Sequence, residues 1–328
     1  MRIALLTLDF PPAFIGGISA WSVDMASALN SAGHDVEVFA KRTGNTDDFD
    51  ESLPFPVHRV FGRSWARWSG LWMRLAIHRR LKSFDWILCA TWPLATHLSN
   101  TPPLAIAFHG SELTMLDQAP SALKRATQQA RALLPVSQFL ELELERLACS
   151  DTPATVLPMP LKLETRSATQ QAQSLVCVAR PSERKGIDRA IRIAQATGRN
   201  LDLIGPTEGP EGTTVHGQLS RDETMEIISR AAAIVLTPRL TENGRGGEGL
   251  GLCLLEAAAR GVPAIGCDTG GVSEAVGPGL LLSDPDHPDG AQINAWLSQA
   301  DRGEQARAWV TTHHGPGRSV AILEGALL

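Results

Sequence analysis

RLTENGRGGEGLGLCLLEAAARG, residues 239–261, puts two glutamates and a run of glycines at the entrance to a helix-forming segment. Gly246, Gly247, Gly249 and Gly251 are costly inside a helix, whereas Leu252 to Arg260 are strong helix formers, so the composition predicts a helix starting near Leu250. Glycines before a helix start let a ligand approach the backbone, and the unpaired amides there, with the helix dipole, favour an anion such as a diphosphate. Glu248 falls just outside that start and Glu256 inside the helix. Ionised carboxylates only accept hydrogen bonds, so a pair of them flanking an anion site suits the vicinal hydroxyls of a nucleotide sugar. The ligand-free alternative is a helix whose dipole Glu248 compensates and whose Glu256 lies on the surface.

Around this segment strand and helix patterns alternate. Residues 174–180, 201–205, 234–238 and 262–267 read as strands, helices are expected over 187–197 and 221–233, and TGGVSE at 269–274 reads as a turn. The chain's first half has the same rhythm. Ile3 to Leu8 is a short apolar run, followed by a Pro-Pro and Gly-Gly loop, a helical pattern from Ile18 to Ala32 with Gly33 in the stop position, and an alternating strand from Asp35 to Ala40. Further buried strands are expected at 86–90, 104–108 and 133–136. Such units build parallel sheets, whose ligands bind beyond the carboxyl ends of the strands. Gly16 and Gly17, then His109 and Glu112, then Ser137 occupy loops of that kind. Between the halves, LPMPL at 157–161 has prolines at alternate positions and suits a stiff connector. The expected domains are therefore 1–160 and 161–305, with 306–328 returning to the first, and Trp309 to Leu327 is the candidate closing helix.

A chain of 328 residues with 43% hydrophobic residues fits two domains with cores of their own. A net charge of −5 gives no global pull toward nucleic acid, and none is expected as a partner. Cys89, Cys149, Cys177, Cys253 and Cys267 are odd in number, lack short pairing and mostly interrupt apolar runs, which reads as buried thiols in a reducing cytoplasm and not as disulfides or a zinc site. The apolar run of MRIALLTLDF is broken by Asp9 and two prolines, unlike a signal peptide, and no window approaches the roughly twenty apolar residues of a membrane span. A cytoplasmic protein, soluble or peripheral, is expected.

Glu248, Gly249, Leu250, Gly251 and Glu256, two glutamates with seven residues between them and EGLG at the front, resemble the signature of the retaining glycosyltransferases of family 4. The resemblance runs in family order from Phe10 to Glu274. It implies an α/β GT-B fold, two Rossmann-like domains facing across a central cleft, with the acceptor bound by the first and the donor mainly by the second. By resemblance Glu248 touches hydroxyls of the donor sugar, Glu256 binds the ribose, and Gly249, Leu250 and Gly251 form the donor-binding helix start. Gly16 and Gly17 belong to a loop against the donor phosphate, and His109 of FHGSEL lies beside the sugar at the reaction centre. Arg180 and Lys185 in ARPSERKGID match the family's arginine, short gap and KG. A guanidinium fork and an ammonium point charge would neutralise a diphosphate leaving group without a metal. Gly270, Gly271 and Glu274 match as well, although a helix cap explains them.

The expected activity is transfer of a hexosyl group, with retention, from a UDP- or GDP-linked donor to an acceptor hydroxyl on a lipid-linked or cell-envelope glycan, with no cofactor and no metal. Alternatives are a non-catalytic partner subunit of the same fold, or a GT-B sugar phosphorylase or epimerase. One departure stands out: only ten residues, PTEGPEGTTV, separate Gly205 from His216 where the family has a further helix and strand, so an abbreviated base-binding wall is expected. Finally, Arg59 to Lys82 holds seven basic residues and no acidic one, with Trp65, Trp68, Trp72 and Leu75 recurring at helical spacing. Indoles on one face flanked by arginines are the pattern of an interfacial helix on an anionic membrane. Packing of the tryptophans into the first domain, or arginines gripping an anionic acceptor, would use the same residues.

Overall fold

The computed structural model describes residues 1–12, 16–42, 44, 46–60, 75, 77–98, 101–162 and 173–328. The chain forms two compact units, Met1–Pro160 together with Pro316–Leu328, and Leu161–Gly315.

The first unit is built on β1 (Arg2–Thr7), β2 (Asp35–Lys41), β3 (Val57–Val60), β4 (Trp86–Cys89), β5 (Leu104–Phe108) and β6 (Ala132–Pro135), in the order β3-β2-β1-β4-β5-β6. Every pairing is parallel. Parallel strands are joined by crossovers that cover both faces, so the central ones read as continuous apolar runs; Ile3, Leu5, Leu6, Ile87, Leu88 and Ile106 are buried accordingly. Each such side chain contributes about 1.5–3 kcal/mol on leaving water.

The second unit carries β7 (Leu175–Val178), β8 (Leu201–Ile204), β9 (Thr213–Gly217), β10 (Ala233–Leu236), β11 (Ala264–Cys267) and β12 (Leu280–Leu282), in the order β12-β11-β10-β7-β8-β9, again all parallel. Its core joins Leu175, Cys177, Leu201, Leu203, Val235 and Ile265 to Ala190 and Ile193 of helix Ile187–Thr197 and to Trp296 of helix Gly290–Leu297. Both sheets have the doubly wound order that starts in the middle, runs to one edge, and returns to fill the other. Strand order therefore reverses between β1 and β4 in one unit and between β7 and β10 in the other, the crevices where such sheets take ligands.

Some elements depart from the sequence-based expectation. The signature helix spans Leu252–Ala259, with Gly251 as its N-cap in left-handed geometry, two residues later than expected. Residues 205–216 are not simply a shortened connection, because Thr213–Gly217 forms the edge strand β9. The expected closing helix is two helices, Arg302–His314 and Pro316–Leu327, broken at Gly315. The first packs on Leu252–Ala259 and the second on Gly17–Ser31. The Leu161 amide donates to the His314 carbonyl at 3.0 Å, and His34 Nε2 lies 3.0 Å from Glu324 of the last helix. All five cysteines are free, four buried and Cys253 half-buried. Burial pushes the Cys177 thiol up to about 12.

Candidate active site

In the second unit the loops after β7 and β10 meet at the switch point. Arg180 follows β7 and is exposed, and Lys185 closes the short turn Glu183–Lys185. The turn is held against β10 by Gly186, whose left-handed φ of 64° and missing Cβ are both required, since a Cβ there would lie 1.9 Å from the Thr237 carbonyl oxygen. Arg239 extends this seam by donating its amide to the Arg184 carbonyl at 2.8 Å. The Lys185 ammonium, so placed, pairs with the Glu248 carboxylate at Oε2. Lysine and glutamate are 63 residues apart in sequence and are brought together by the reversal of strand order.

Glu248 is fixed from behind by the 269–274 turn. Its backbone bridges Gly270, and its carbonyl accepts from the Gly271 amide at 2.8 Å. A Cβ on Gly270 would sit 2.3 Å from the Glu248 carbonyl oxygen, so Gly270 and Gly271 do more than cap a helix: they let two loops touch backbone to backbone. Leu250 is buried, leaving its backbone as its contribution to a ligand at the helix start. Before Glu248 the chain makes a small hairpin, with Thr241 and Arg245 bonded reciprocally and Leu240 bridging Gly246.

Glu256 is not a surface residue. It is 8% exposed, inside a helix otherwise lined with Leu254, Leu255, Ala257, Ala258 and Ala259, and it pairs with Arg221. Sequence reasoning did not single out Arg221. The available signal was SRDE at 220–223, a capping box observed here with both reciprocal bonds, which fixes Arg221 as the first residue of helix Arg221–Ser229.

A second ionic cluster braces the same loops from outside. Arg189 Nε donates to Asp286 at 3.0 Å, Arg192 Nη1 at 2.7 Å and Arg239 Nη2 at 2.8 Å, while Arg239 also reaches Asp188 at 2.7 Å. The Arg189 hydrogen bond, ahead of the Arg189 and Arg239 charges, holds the Asp286 carboxyl well below the usual carboxylate range.

His109, Gly16 and Gly17 belong to the first unit. Gly16, at φ 145°, starts helix Gly17–Ser31, and its carbonyl accepts from the Ser19 amide at 3.1 Å. From that helix the indole of Trp21 meets the His109 ring edge to face, centroids 4.8 Å apart. The His109 amide donates to the Glu112 carboxylate. Burial lowers the imidazole's proton affinity below the ordinary histidine value, against the raising effects of the Glu112 charge and of a bond to the Ala90 backbone. His109 Nε2 is buried without a hydrogen-bond partner in the structure. A neutral imidazole at this strand end suits contact with an uncharged hydroxyl. Ser137 caps helix Gln138–Arg146, its hydroxyl accepting from the Leu140 amide at 3.2 Å, a structural task.

The basic stretch divides. Arg63, Arg67, Arg74, Trp65, Trp68 and Trp72 lie outside the described residues. Arg59 does not face a membrane: it sits in β3, its side chain is 4% exposed, and it forms a two-point ion pair with Asp50 while stacking over Phe10. Arg80 pairs with Glu37 at 2.7 Å, and Arg79 and Lys82 are exposed. Among the described residues no helix is long and apolar enough to cross a membrane.

Comparison with known proteins bears on the whole chain. The family model described as Glycosyltransferase Family 4 matches residues 15–165, and that of Glycosyl transferases group 1 matches residues 166–309. A GDP-mannose-dependent alpha-(1-6)-phosphatidylinositol monomannoside mannosyltransferase of Mycobacterium tuberculosis is 26% identical over 322 residues, 84% of this chain and 82% of that protein. Sucrose-phosphate synthase from Thermosynechococcus elongatus shares the fold with a TM-score of 0.79 at 18% identity, over 99% of this chain and 98% of its own. Anabaena HepE in complex with UDP-glucose does so with a TM-score of 0.76 at 15% identity, over 99% and 98%. With two sheets wound in one order and a family match running through both of them, the chain belongs to glycosyltransferase family 4, glycosyl transferases group 1, and has the GT-B fold.

Proposed function

We propose that the protein transfers a hexosyl group, with retention, from a UDP- or GDP-linked sugar to an acceptor hydroxyl on a lipid-linked or cell-envelope glycan. The observation that carries this reading is the Lys185–Glu248 pair at the switch point of the second sheet, with the buried Glu256 eight residues on in the adjoining helix. In this reading the second unit holds the donor. Glu256 accepts from the ribose hydroxyls, the amides of Gly249, Leu250 and Gly251 face the phosphates, and Glu248 accepts from the sugar hydroxyls. Arg180 and Lys185 neutralise the departing diphosphate. The first unit takes the acceptor, and its Gly16–Gly17 helix start and His109 serve the donor phosphate and the sugar.

The bond from the anomeric carbon to the phosphate oxygen breaks on the face where the acceptor oxygen attacks, and the acceptor proton passes to the leaving phosphate. That route needs no enzyme nucleophile, and the charge it develops is met by side-chain cations already in place. The nucleotides named for the relatives, GDP-mannose in one and UDP-glucose in another, support either base. The lipid acceptor of the mycobacterial mannosyltransferase, and the exposed Arg79 and Lys82, support an acceptor at the cytoplasmic membrane face.

The test is thermal stability across UDP, GDP, ADP and their sugars. A ligand at 100 times its Kd adds about 2.7 kcal/mol of apparent stability, so the cognate nucleotide should raise Tm and the others should not. No shift with any of them would remove the donor-site reading. Arg180→Ala and Lys185→Ala should each lower turnover at least about tenfold, roughly 1.4 kcal/mol of barrier. A double variant with native kinetics would place the diphosphate elsewhere.

A further inference from the structure

Glu256 does not stand in its helix unaided. Arg221 Nε lies 3.0 Å and Nη2 2.9 Å from Glu256 Oε1, so two nitrogens on one edge of the guanidinium reach the same carboxylate oxygen. The arginine comes from a neighbouring helix: it opens Arg221–Ser229, which follows the edge strand β9 and packs on Leu252–Ala259. Its own backbone is set by the capping box, in which the Ser220 hydroxyl accepts from the Glu223 amide at 3.3 Å and Glu223 Oε2 accepts from the Ser220 amide at 2.9 Å. The Arg221 side chain is 30% exposed and that of Glu256 10%, so the pair lies at the rim of the buried helix.

We propose that Arg221 is a positioning residue that sets ribose recognition, by holding the Glu256 carboxylate oriented toward the nucleotide. The proposal rests on the assignment of Glu256 to the ribose. Two physical consequences follow from the geometry. A cation beside a buried carboxylate favours its charged form, which accepts hydrogen bonds and so matches two donating hydroxyls. Charge-assisted bonds to one oxygen also fix the side-chain torsions of Glu256, so that the carboxylate is oriented before the nucleotide arrives.

The experiment measures, by calorimetry, the affinities of GDP, UDP and their 2′,3′-dideoxy counterparts for the full-length native protein and for Arg221→Gln, Arg221→Lys and Glu256→Gln. The native protein should prefer the ribonucleotide over its dideoxy counterpart by about tenfold, the size of one charge-assisted hydrogen bond. Arg221→Gln should erase most of that preference by weakening ribonucleotide binding alone, and Arg221→Lys should restore part of it. A merely structural role would lower both affinities together, and that result would overturn the proposal. So would an unchanged preference in Arg221→Gln when Glu256→Gln loses it, with the donor-site reading left standing. If Glu256→Gln itself keeps the native preference, the ribose assignment fails and the role of Arg221 fails with it.

Discussion

Glu248→Ala should cut turnover by about a hundredfold or more, roughly 2.7 kcal/mol of barrier, while leaving nucleoside diphosphate affinity unchanged or tighter. In the structure the Glu248 carboxylate neutralises the Lys185 ammonium. A diphosphate arriving at Lys185 must share that ammonium with Glu248 or displace it. Removing the carboxylate frees the cation for phosphate, which favours the product complex. In the proposed reading, removal also deletes the acceptor for the sugar hydroxyls. Steady-state kinetics with calorimetry on the nucleoside diphosphate separates the two effects. Parallel loss of affinity and turnover would mean that Glu248 acts on the nucleotide, and a change in turnover below about tenfold would remove it from the reaction centre.

Arg59→Ala should cost about 3–5 kcal/mol of stability, the range for removing one partner of a buried ion pair. Arg59 is 4% exposed and Asp50 13%. The guanidinium also bonds the Pro11 carbonyl and covers the Phe10 ring at 5.3 Å, so it ties β3 to the chain leaving β1. Its removal leaves Asp50 without its cation and opens a space beside Phe10. Urea denaturation should show a lowered midpoint, and Asp50→Asn combined with Arg59→Ala should cost less than the sum of the two singly. A loss under about 1 kcal/mol would mean that the pair is a surface contact of ordinary worth.

Much of the architecture was legible in the sequence, for a physical reason. Strands buried on both faces need unbroken apolar runs, and Ile3–Leu6, Leu104–Phe108 and Ala233–Leu236 supply them. What escaped lies at sheet edges. Thr213–Gly217, TTVHG, and Val57–Val60, VHRV, each pair with one neighbour and keep polar residues, so nothing in their composition separates them from loops. Within the basic stretch, the burial of Arg59 escaped for a related reason. Charge alone does not show which arginine is buried, and Asp50, the partner that settles it for Arg59, comes from outside the stretch. For the candidate site, EGLG and the RKG turn pointed to two loops that the structure brings together through Lys185 and Glu248. The burial of Glu256 was foreshadowed by its neighbours, since a helix apolar on every side, LCLLEAAA, has no solvent face to give it. Arg221 could not be connected to Glu256 from sequence, because the two are 35 residues apart, with strand β10 between them.

The last helix gives the chain an interrupted first unit. Residues 161–315 are inserted between Met1–Pro160 and Pro316–Leu328, and the insertion's two ends are joined by the Leu161–His314 hydrogen bond. Dissection therefore has a natural grammar. A cut after residue 160 would strip the first unit of a helix that covers Gly17–Ser31, whereas removing 161–315 as one cassette and splicing residue 160 to 316 preserves it. The excised cassette, whose ends already meet, is also a good candidate for cyclisation or for transplantation into a host loop.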